Sequence, residues 1–445
     1  MPGRKFGGLT FFMPKLIKLL TNNIDSTGSS GRTGLSVEEY VKSGGFAALK
    51  KAAAANPIDI IAEIKTAKLL GRGGAAYPAG SKWEHLLHIP NTPKYIVCNA
   101  DEGEPGTFKD RLIMEKIPLK LLEGIIIAGF VFRAKAGHIY VRGEYRKIQK
   151  HLLKAIENAK AAGFLGKNIL GTDFDFDIHV ISGAGAYVCG ENSALLNSTE
   201  GKVGRPRIKP PHLAEVGLFL QPTLVNNVES FANIPVILNM GGEAYLKAGH
   251  PDSGGTKLIS LSGHIKNRNV FEIPLGKVTL RDIIFDPKMG GGITNDRKLK
   301  FFHLGGQSGS IGSADQLDTV YSYTDLKKAG LSVGSGAIVV MDESVSILEY
   351  LIGVSEFFFH ESCGKCVPCR EGNRQLLKLL RKLSFPDAAT TDDLDTLRRL
   401  NRTMTDASFC GLGQTSATAL NSAWKCFKTE FEANIRAGSI VRRNI

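Results

Sequence analysis

The chain has 445 residues, 43% of them hydrophobic and 22% charged, a globular balance that excludes a disordered or fibrous protein. That length exceeds one core, so two or three domains are expected, and neither disulfides nor structural zinc is needed to hold them. A net charge of +13 invites a nucleic-acid reading. The basic residues are spread rather than blocked, however, which favours a solvated surface or one that docks an acidic partner.

Residues 1 to about 32 read as irregular. The opening MPGRKFGGLTFFMPKLIKLL is basic and partly apolar, but Pro14 and Lys15 interrupt it and no small-residue cleavage site follows. It reads as a surface arm, and the protein is expected inside the cell. Ser26 to Thr33 is linker composition. A helix is expected from Ser36, an N-cap with Glu39 three residues on, through Lys51, and another from Pro57 to Lys68.

From Lys94 onward, strands and helices alternate: strand Tyr95 to Cys98, helix Leu119 to Arg133, strand His138 to Arg142, helix Glu144 to Ala162, strand Phe176 to Ser182. That alternation predicts an α/β domain with a mainly parallel sheet. The apolar run Leu121 to Phe132 contains Glu123 and is too short to span a bilayer. After the loop His250 to Gly255 come strands at Lys257 to Ser262, Lys300 to Leu304 and Ala337 to Met341, with a helix at Thr279 to Ile284. These predict a small α+β domain. Beyond Ser344 helical patterns take over, as in Gln375 to Leu383 and Thr391 to Met404. The expected division is 1–34 arm and linker, 35–249 α/β, 250–342 α+β and 343–445 helical.

There are seven cysteines. Cys363-Gly-Lys-Cys366-Val-Pro-Cys369 is a C-x2-C-x2-C run, whose short loops let three thiolates wrap one face of an iron–sulfur cubane. Asn373 stands where the bacterial ferredoxin run has its fourth cysteine, so that ligand comes from elsewhere. Cys410, in a glycine-rich bend, suits the place better than Cys426, which reads as mid-helix. Zinc sites usually show two separated pairs, so the spacing favours a cluster over zinc or space-filling thiols. Lys365 and Arg370 flank the ligands, and their charge would raise the cluster's potential.

Gly71-Arg-Gly-Gly-Ala-Ala-Tyr-Pro-Ala-Gly80-Ser-Lys82-Trp83 is dense in glycine, so its amides can approach phosphate while Lys82 supplies charge. It is not a Walker A loop, and Gly183 to Gly190 is not the dinucleotide G-x-G-x-x-G pattern. Asn99-Ala-Asp101-Glu102-Gly-Glu104 directly follows a buried strand, where ligands of open α/β sheets bind. Its acids would bind ribityl or ribose hydroxyls and repel phosphate. Singly, these stretches read as tight turns and a solvated acidic loop. Together with a late cluster they point to a flavin nucleotide passing electrons to iron.

The chain resembles the flavoprotein subunit of NADH dehydrogenase and its relatives in NAD-linked hydrogenases and formate dehydrogenases. The resemblance runs from about Leu35 nearly to the end. It rests on GRGGAAYPAGSKW, CNADEGEPGTFKDR, GAGAYVCGEN, PTLVNNVE, ESCGKCVPCREG and FCGLGQT, the last closer to the soluble hydrogenase and formate dehydrogenase relatives. It implies a Rossmann-like FMN domain, a β-grasp (ubiquitin-like) domain and a C-terminal helical bundle holding a [4Fe–4S] cluster. FMN would be held by Gly71, Gly73, Lys82, Asn99, Asp101, Glu102, Gly190, Glu191, Asn226 and Asn227. NAD(H) would be held with help from Tyr77, Glu104 and Lys209. Cys363, Cys366, Cys369 and Cys410 would ligate the cluster. Hydride transfer needs no acid or base, so Glu102 and Glu104 would tune and position.

The chain departs from the family pattern around the nucleotide. GEE becomes Gly190-Glu191-Asn192, two phenylalanines become His85 and His212, a third becomes Tyr77, and the glycine before it is Ala76. Two functions are therefore expected in competition: an NAD(H)-dependent electron-entry subunit, favoured, and an FMN and iron–sulfur relay without a nicotinamide site. The implied partners are a small [2Fe–2S] subunit and a catalytic hydrogenase, formate dehydrogenase or respiratory subunit. No nucleic acid or transmembrane segment is expected. The expected location is cytoplasmic, compatible with the periphery of a membrane complex.

Overall fold

The computed structural model describes residues 17–24 and 34–435. The first sheet contains β1 (Tyr95–Ala100), β2 (Ala136–Val141), β3 (Ile178–Ser182) and β4 (Thr223–Asn227), in the order β3-β2-β1-β4. Every pairing is parallel, so each connection must cross over, and helices supply the crossovers. The helix Pro118–Phe132 is buried over its whole length. Its acid Glu123 is satisfied there, accepting from Tyr40 Oη at 2.6 Å and from the Leu49 amide at 3.1 Å.

The single helix expected from Ser36 to Lys51 is two, Val37–Lys42 and Ala47–Ala54. The Ser36–Glu39 capping box forms as expected. The break is Gly44, at φ +91°, and Gly45, where a Cβ would overlap the Tyr40 ring. The helix Pro57–Thr66 starts at its proline as expected. The glycine-rich stretch is not all loop: Ala79–His88 is helical and carries Lys82 and Trp83 inward. β4 was not expected as a strand, because its end is polar.

The second sheet contains β5 (Thr256–Gly263), β6 (Asn269–Pro274), β7 (Leu299–Leu304), β8 (Ser310–Ser313) and β9 (Ala337–Asp342), in the order β6-β5-β9-β7-β8. β5 and β9 run parallel and the other pairs antiparallel. β6 and β8, short and polar-ended, are additions to the expected strands. The expected helix at Thr279 is Leu280–Phe285, capped by Thr279 with Asp282. Helices Ile347–Glu361, Val367–Leu383, Thr391–Ala407, Gly411–Thr415 and Thr418–Cys426 follow.

The expected linker from Ser26 to Thr33 and the first sixteen residues of the expected arm lie outside the described residues. The described piece of the arm is not a free surface strand. The amides of Leu19, Leu20 and Thr21 donate to the Glu272 carboxylate at 2.9, 2.8 and 2.8 Å, and Thr21 Oγ1 joins them at 2.6 Å. Lys120 Nζ fastens the other side, donating to the Leu20 carbonyl at 2.7 Å and Asn22 Oδ1 at 2.8 Å. The segment therefore clamps the helix Pro118–Phe132 to β6. Glu272→Leu is expected to release it, at a cost of about 2–3 kcal/mol in urea unfolding for stranded donors, with a new protease cut between Leu19 and Ile24.

Candidate functional site

Cys363, Cys366, Cys369 and Cys410 line one pocket together with Val188, Phe409 and Leu412. Cys363 lies in the link between helices Ile347–Glu361 and Val367–Leu383, where Gly364 turns the chain at φ +73°. Cys366 and Cys410 are each the N-cap residue of a helix, and Cys369 lies in a first turn. Helix N-termini thus face the sulfurs, which favours an anionic group. Cys426 closes the helix Thr418–Cys426, exposed and outside this lining.

Burial pushes the Cys369 thiol up to about 11, and the neighbouring cysteines add to the shift while Ser362 opposes it. Ionising four such thiols together requires compensating positive charge, which iron supplies. Among the described residues no three His, Cys, Asp or Glu side chains group to hold a single metal ion. Four cysteines lining one pocket are a donor set suited to a cluster. Lys365 Nζ donates to the Pro206 carbonyl at 2.6 Å and lies 4.0 Å from the Phe409 ring centroid. Arg370 bonds the Gly364 carbonyl and pairs with Glu371, so part of its charge is answered locally.

At the other site, β1 and β4 are paired with Asn99 opposite Asn227 and Cys98 opposite Asn226. That register collects three asparagines at the carboxyl ends of adjacent parallel strands. Asn99 Nδ2 donates to the Gly190 carbonyl at 2.8 Å and to Asn192 Oδ1 at 3.1 Å. Asn227 caps the helix Val228–Met240 and donates to Asp110 Oδ2 at 2.6 Å. Asn226, oriented to satisfy both its groups, accepts from Trp83 Nε1 at 3.0 Å. Gly73 must be bare, since a Cβ there would stand 2.9 Å from Asn227 Cβ. Gly71 bonds the Tyr77 carbonyl across the same loop. Ala76, at φ +54°, occupies a left-handed position that favours glycine.

Lys82 Nζ lies inside, donates to the Val225 carbonyl at 2.9 Å, and pairs with no carboxylate among the described residues. Burial, with Lys209 adding, pulls its pKa down to about 8. Asp101 Oδ2 is buried without a hydrogen-bond partner among the described residues. Burial pushes Asp101 up to about 7. An unpaired inner cation, an unpaired acceptor and a bare glycine loop fit a nucleotide with a phosphate at one end and hydroxyls beyond it.

Because its folded pKa is depressed, Lys82 carries its charge below about pH 8 and loses it above. FMN binding to apo-protein, followed by flavin fluorescence, is therefore expected to weaken above pH 8 by up to roughly tenfold per unit. Lys82→Met should bind weakly throughout and abolish that pH dependence.

A cavity of about 310 Å³ adjoins this site, lined by Asp101, Glu104, Arg142, Glu144, Tyr187 and Glu361 among others. Glu104 accepts from Tyr187 Oη at 2.6 Å, from the Ser308 amide at 3.2 Å and from Ser308 Oγ at 3.1 Å. Glu102 turns the other way. Its carboxylate accepts from the Asp110 and Arg111 amides at 2.7 and 2.9 Å, seating the helix Lys109–Lys116. Arg142, Glu144, Tyr187, Ser308 and Glu361 were not singled out from the sequence. Tyr187 sits inside the GAGAYVCGEN stretch and Glu361 opens ESCGKCVPCREG, so those two carried a signal and the others did not.

The remaining expected residues lie outside the cavity lining. Glu191 caps the helix Asn192–Thr199 and pairs with Lys209 at 2.8 Å. Gly190 lies beside Asp101, with an added Cβ 3.6 Å from its carbonyl oxygen. The rings of His85 and His212 stand 6.3 Å apart at 81°, and His85 Nε2 is 3.7 Å from Glu215 Oε1. Tyr77 is exposed, its ring centroid 5.9 Å from Lys82 Nζ.

Two family models match: the Nuo51 FMN-binding domain over residues 64–236, and the NADH-ubiquinone oxidoreductase-F iron-sulfur binding region over residues 349–434. The NADH-quinone oxidoreductase F subunit of Aquifex aeolicus is 43% identical over 397 residues, covering 89% of this chain and 91% of that one. The HndC subunit of the NADP-reducing hydrogenase of Solidesulfovibrio fructosivorans is 40% identical over 403 residues, covering 90% and 81%. Among solved structures, a chain of an NAD+-reducing [NiFe]-hydrogenase in the H2-reduced state superposes with a TM-score of 0.80 at 32% identity. The match covers 88% of this chain and 65% of that one, so this chain spans about two thirds of its length. With that identity across nearly the whole of both sequences, the chain belongs to the family of NADH-quinone oxidoreductase F subunits.

Proposed function

We infer that the chain is the electron-entry subunit of a multi-subunit redox enzyme, taking hydride from NAD(H) and delivering single electrons to partner subunits. The carrying observation is one chain that places a phosphate-and-hydroxyl pocket at the end of a parallel sheet and four cysteines around a second pocket. Bound FMN supplies the conversion between two-electron hydride and one-electron transfer, and a [4Fe–4S] cluster supplies the one-electron exit.

The chain's own residues bind and position. Lys82 and the bare loop at Gly71 and Gly73 hold the phosphate end. Asn99, Asp101, Asn226 and Asn227 meet the ribityl hydroxyls and ring edge. Glu104, fixed by Tyr187 and Ser308, lines the space in which the nicotinamide nucleotide would sit, and Tyr77 and Lys209 would help to hold it. Cys363, Cys366, Cys369 and Cys410 hold the cluster. The division at 35–249, 250–342 and 343–445, with a β-grasp arrangement in the middle part, is part of this reading. It is supported by the two sheets and the helices falling within those bounds. Partners of the [2Fe–2S] and hydrogenase, formate dehydrogenase or respiratory types belong to the same proposal. Among the described residues no helix is long and apolar enough to cross a membrane.

The test is anaerobic. Protein reconstituted with FMN and iron is mixed with NADH while flavin absorbance is followed. Bleaching of the flavin, then a reduced-cluster EPR signal, is the expected result. If dithionite reduces both centres while excess NADH leaves the flavin oxidised, the nicotinamide step is absent and the chain is a relay.

A further inference from the structure

Asn373 lies one helical turn beyond Cys369 on the helix Val367–Leu383 and is fully buried. Helical side chains point back toward the N-terminus, so a residue at i+4 can reach the turn before it. Asn373 Nδ2 donates to the Cys369 carbonyl at 2.9 Å and lies 3.4 Å from Cys369 Sγ. The carbonyl fixes the amide's orientation, because swapping nitrogen and oxygen would set two acceptors face to face. The amide oxygen is left buried with no hydrogen-bond partner among the described residues. Leu376, Leu377 and Leu380 fill the same buried face. A leucine at 373 would continue that stripe and strand no polar atom.

A second donor meets the same sulfur. Ser362 Oγ stands 3.3 Å from Cys369 Sγ. A ligating thiolate has no proton, so there Ser362 can only donate. Backbone amides serve two of the other sulfurs: Phe409 donates to Cys366 Sγ at 3.5 Å, and Leu412 and Gly413 donate to Cys410. Hydrogen bonds to cluster sulfurs draw off negative charge and favour the reduced, more anionic state.

We propose that Asn373, through its amide N–H to Cys369 Sγ, is a positioning residue that raises the reduction potential of the cluster and so favours electron acceptance from the flavin. This rests on the assignment of the four cysteines to a [4Fe–4S] cluster. The role is specific to this side chain: the residue that replaces a fourth local cysteine acts on the third.

The experiment is an EPR-monitored redox titration of the reconstituted full chain beside Asn373→Leu. At the wild-type midpoint, the variant's ratio of reduced to oxidised cluster is expected to fall roughly threefold to tenfold, or about 30–60 mV for one electron. Iron content should be unchanged. Wild-type protein labelled with ¹⁵N in asparagine side-chain amides should show a nitrogen coupling to the reduced cluster in pulsed EPR. That measurement decides the matter even if the leucine variant fails to assemble. An unchanged midpoint with normal iron, or no amide coupling in the wild type, overturns the proposal. A wild type with no [4Fe–4S] signal at all overturns the cluster assignment beneath it, and is recognised by that.

Discussion

Glu229→Gln is expected to destabilise the fold by about 3–5 kcal/mol near pH 6. The Glu229 carboxylate is wholly buried, 2.6 Å from Lys257 Nζ and 2.9 Å from Lys109 Nζ, and those side chains are 0% and 1% exposed. It also accepts the Leu258 amide at 2.9 Å. Lys109 has a second acid in Asp110 at 2.6 Å, whereas Lys257's other bond is to the Leu258 carbonyl. Removing Glu229's charge therefore falls hardest on Lys257.

Burial already pulls Lys257 down to about 7. A lysine depressed in the fold costs stability fully below its folded pKa, and the cost shrinks as pH rises toward its unfolded value. Without Glu229 the folded value drops further, so the glutamine variant should lose most near pH 6 and recover part of the loss by pH 9. Urea unfolding of both proteins at the two pH values checks this, and a difference under about 1 kcal/mol at both would refute it. Adding Lys257→Met to Glu229→Gln should restore much of the loss, because the stranded cation leaves with its partner.

Cys410→Ala is expected to remove the cluster and spare the flavin. Iron should fall from about four atoms per chain to near none, the reduced-cluster EPR signal should vanish, and bound FMN and NADH bleaching of it should persist. Electron delivery to a one-electron protein acceptor should drop at least about a hundredfold, while dyes that accept directly from flavin lose little. Cys426→Ala, at an exposed helix end, should change none of these. A full [4Fe–4S] signal in Cys410→Ala would require another fourth ligand.

The cysteine pocket was legible because ligand chemistry is written in local spacing. Three sulfurs in one short run and one in a glycine bend needed no tertiary information beyond a turn. The parallel sheet was legible from local pattern too: β1, β2 and β3 are apolar runs alternating with helical stretches. The Gly44–Gly45 break was missed because helical periodicity continues across it, while a tyrosine ring and a left-handed turn decide the geometry. β4, β6 and β8 were missed because each is short and polar at one end. The cavity's Arg142, Tyr187 and Glu361 converge from three distant stretches, and no local pattern announces such a meeting. Glu102 and Glu104 look alike in sequence, yet backbone amides take one and a tyrosine and a serine take the other.

The clamp at Glu272 has a consequence for the living ribosome. Leu20 is synthesised 252 residues before the carboxylate that receives its amide. At about 5–20 residues per second, the early segment spends roughly 10–50 s without its acceptor. The helix Pro118–Phe132 and the strands after it emerge during that interval, so the clamp closes over a partly assembled flavin half instead of nucleating it. The order of translation thus leaves a window in which the glycine loop can meet its nucleotide before the first described residues lock down.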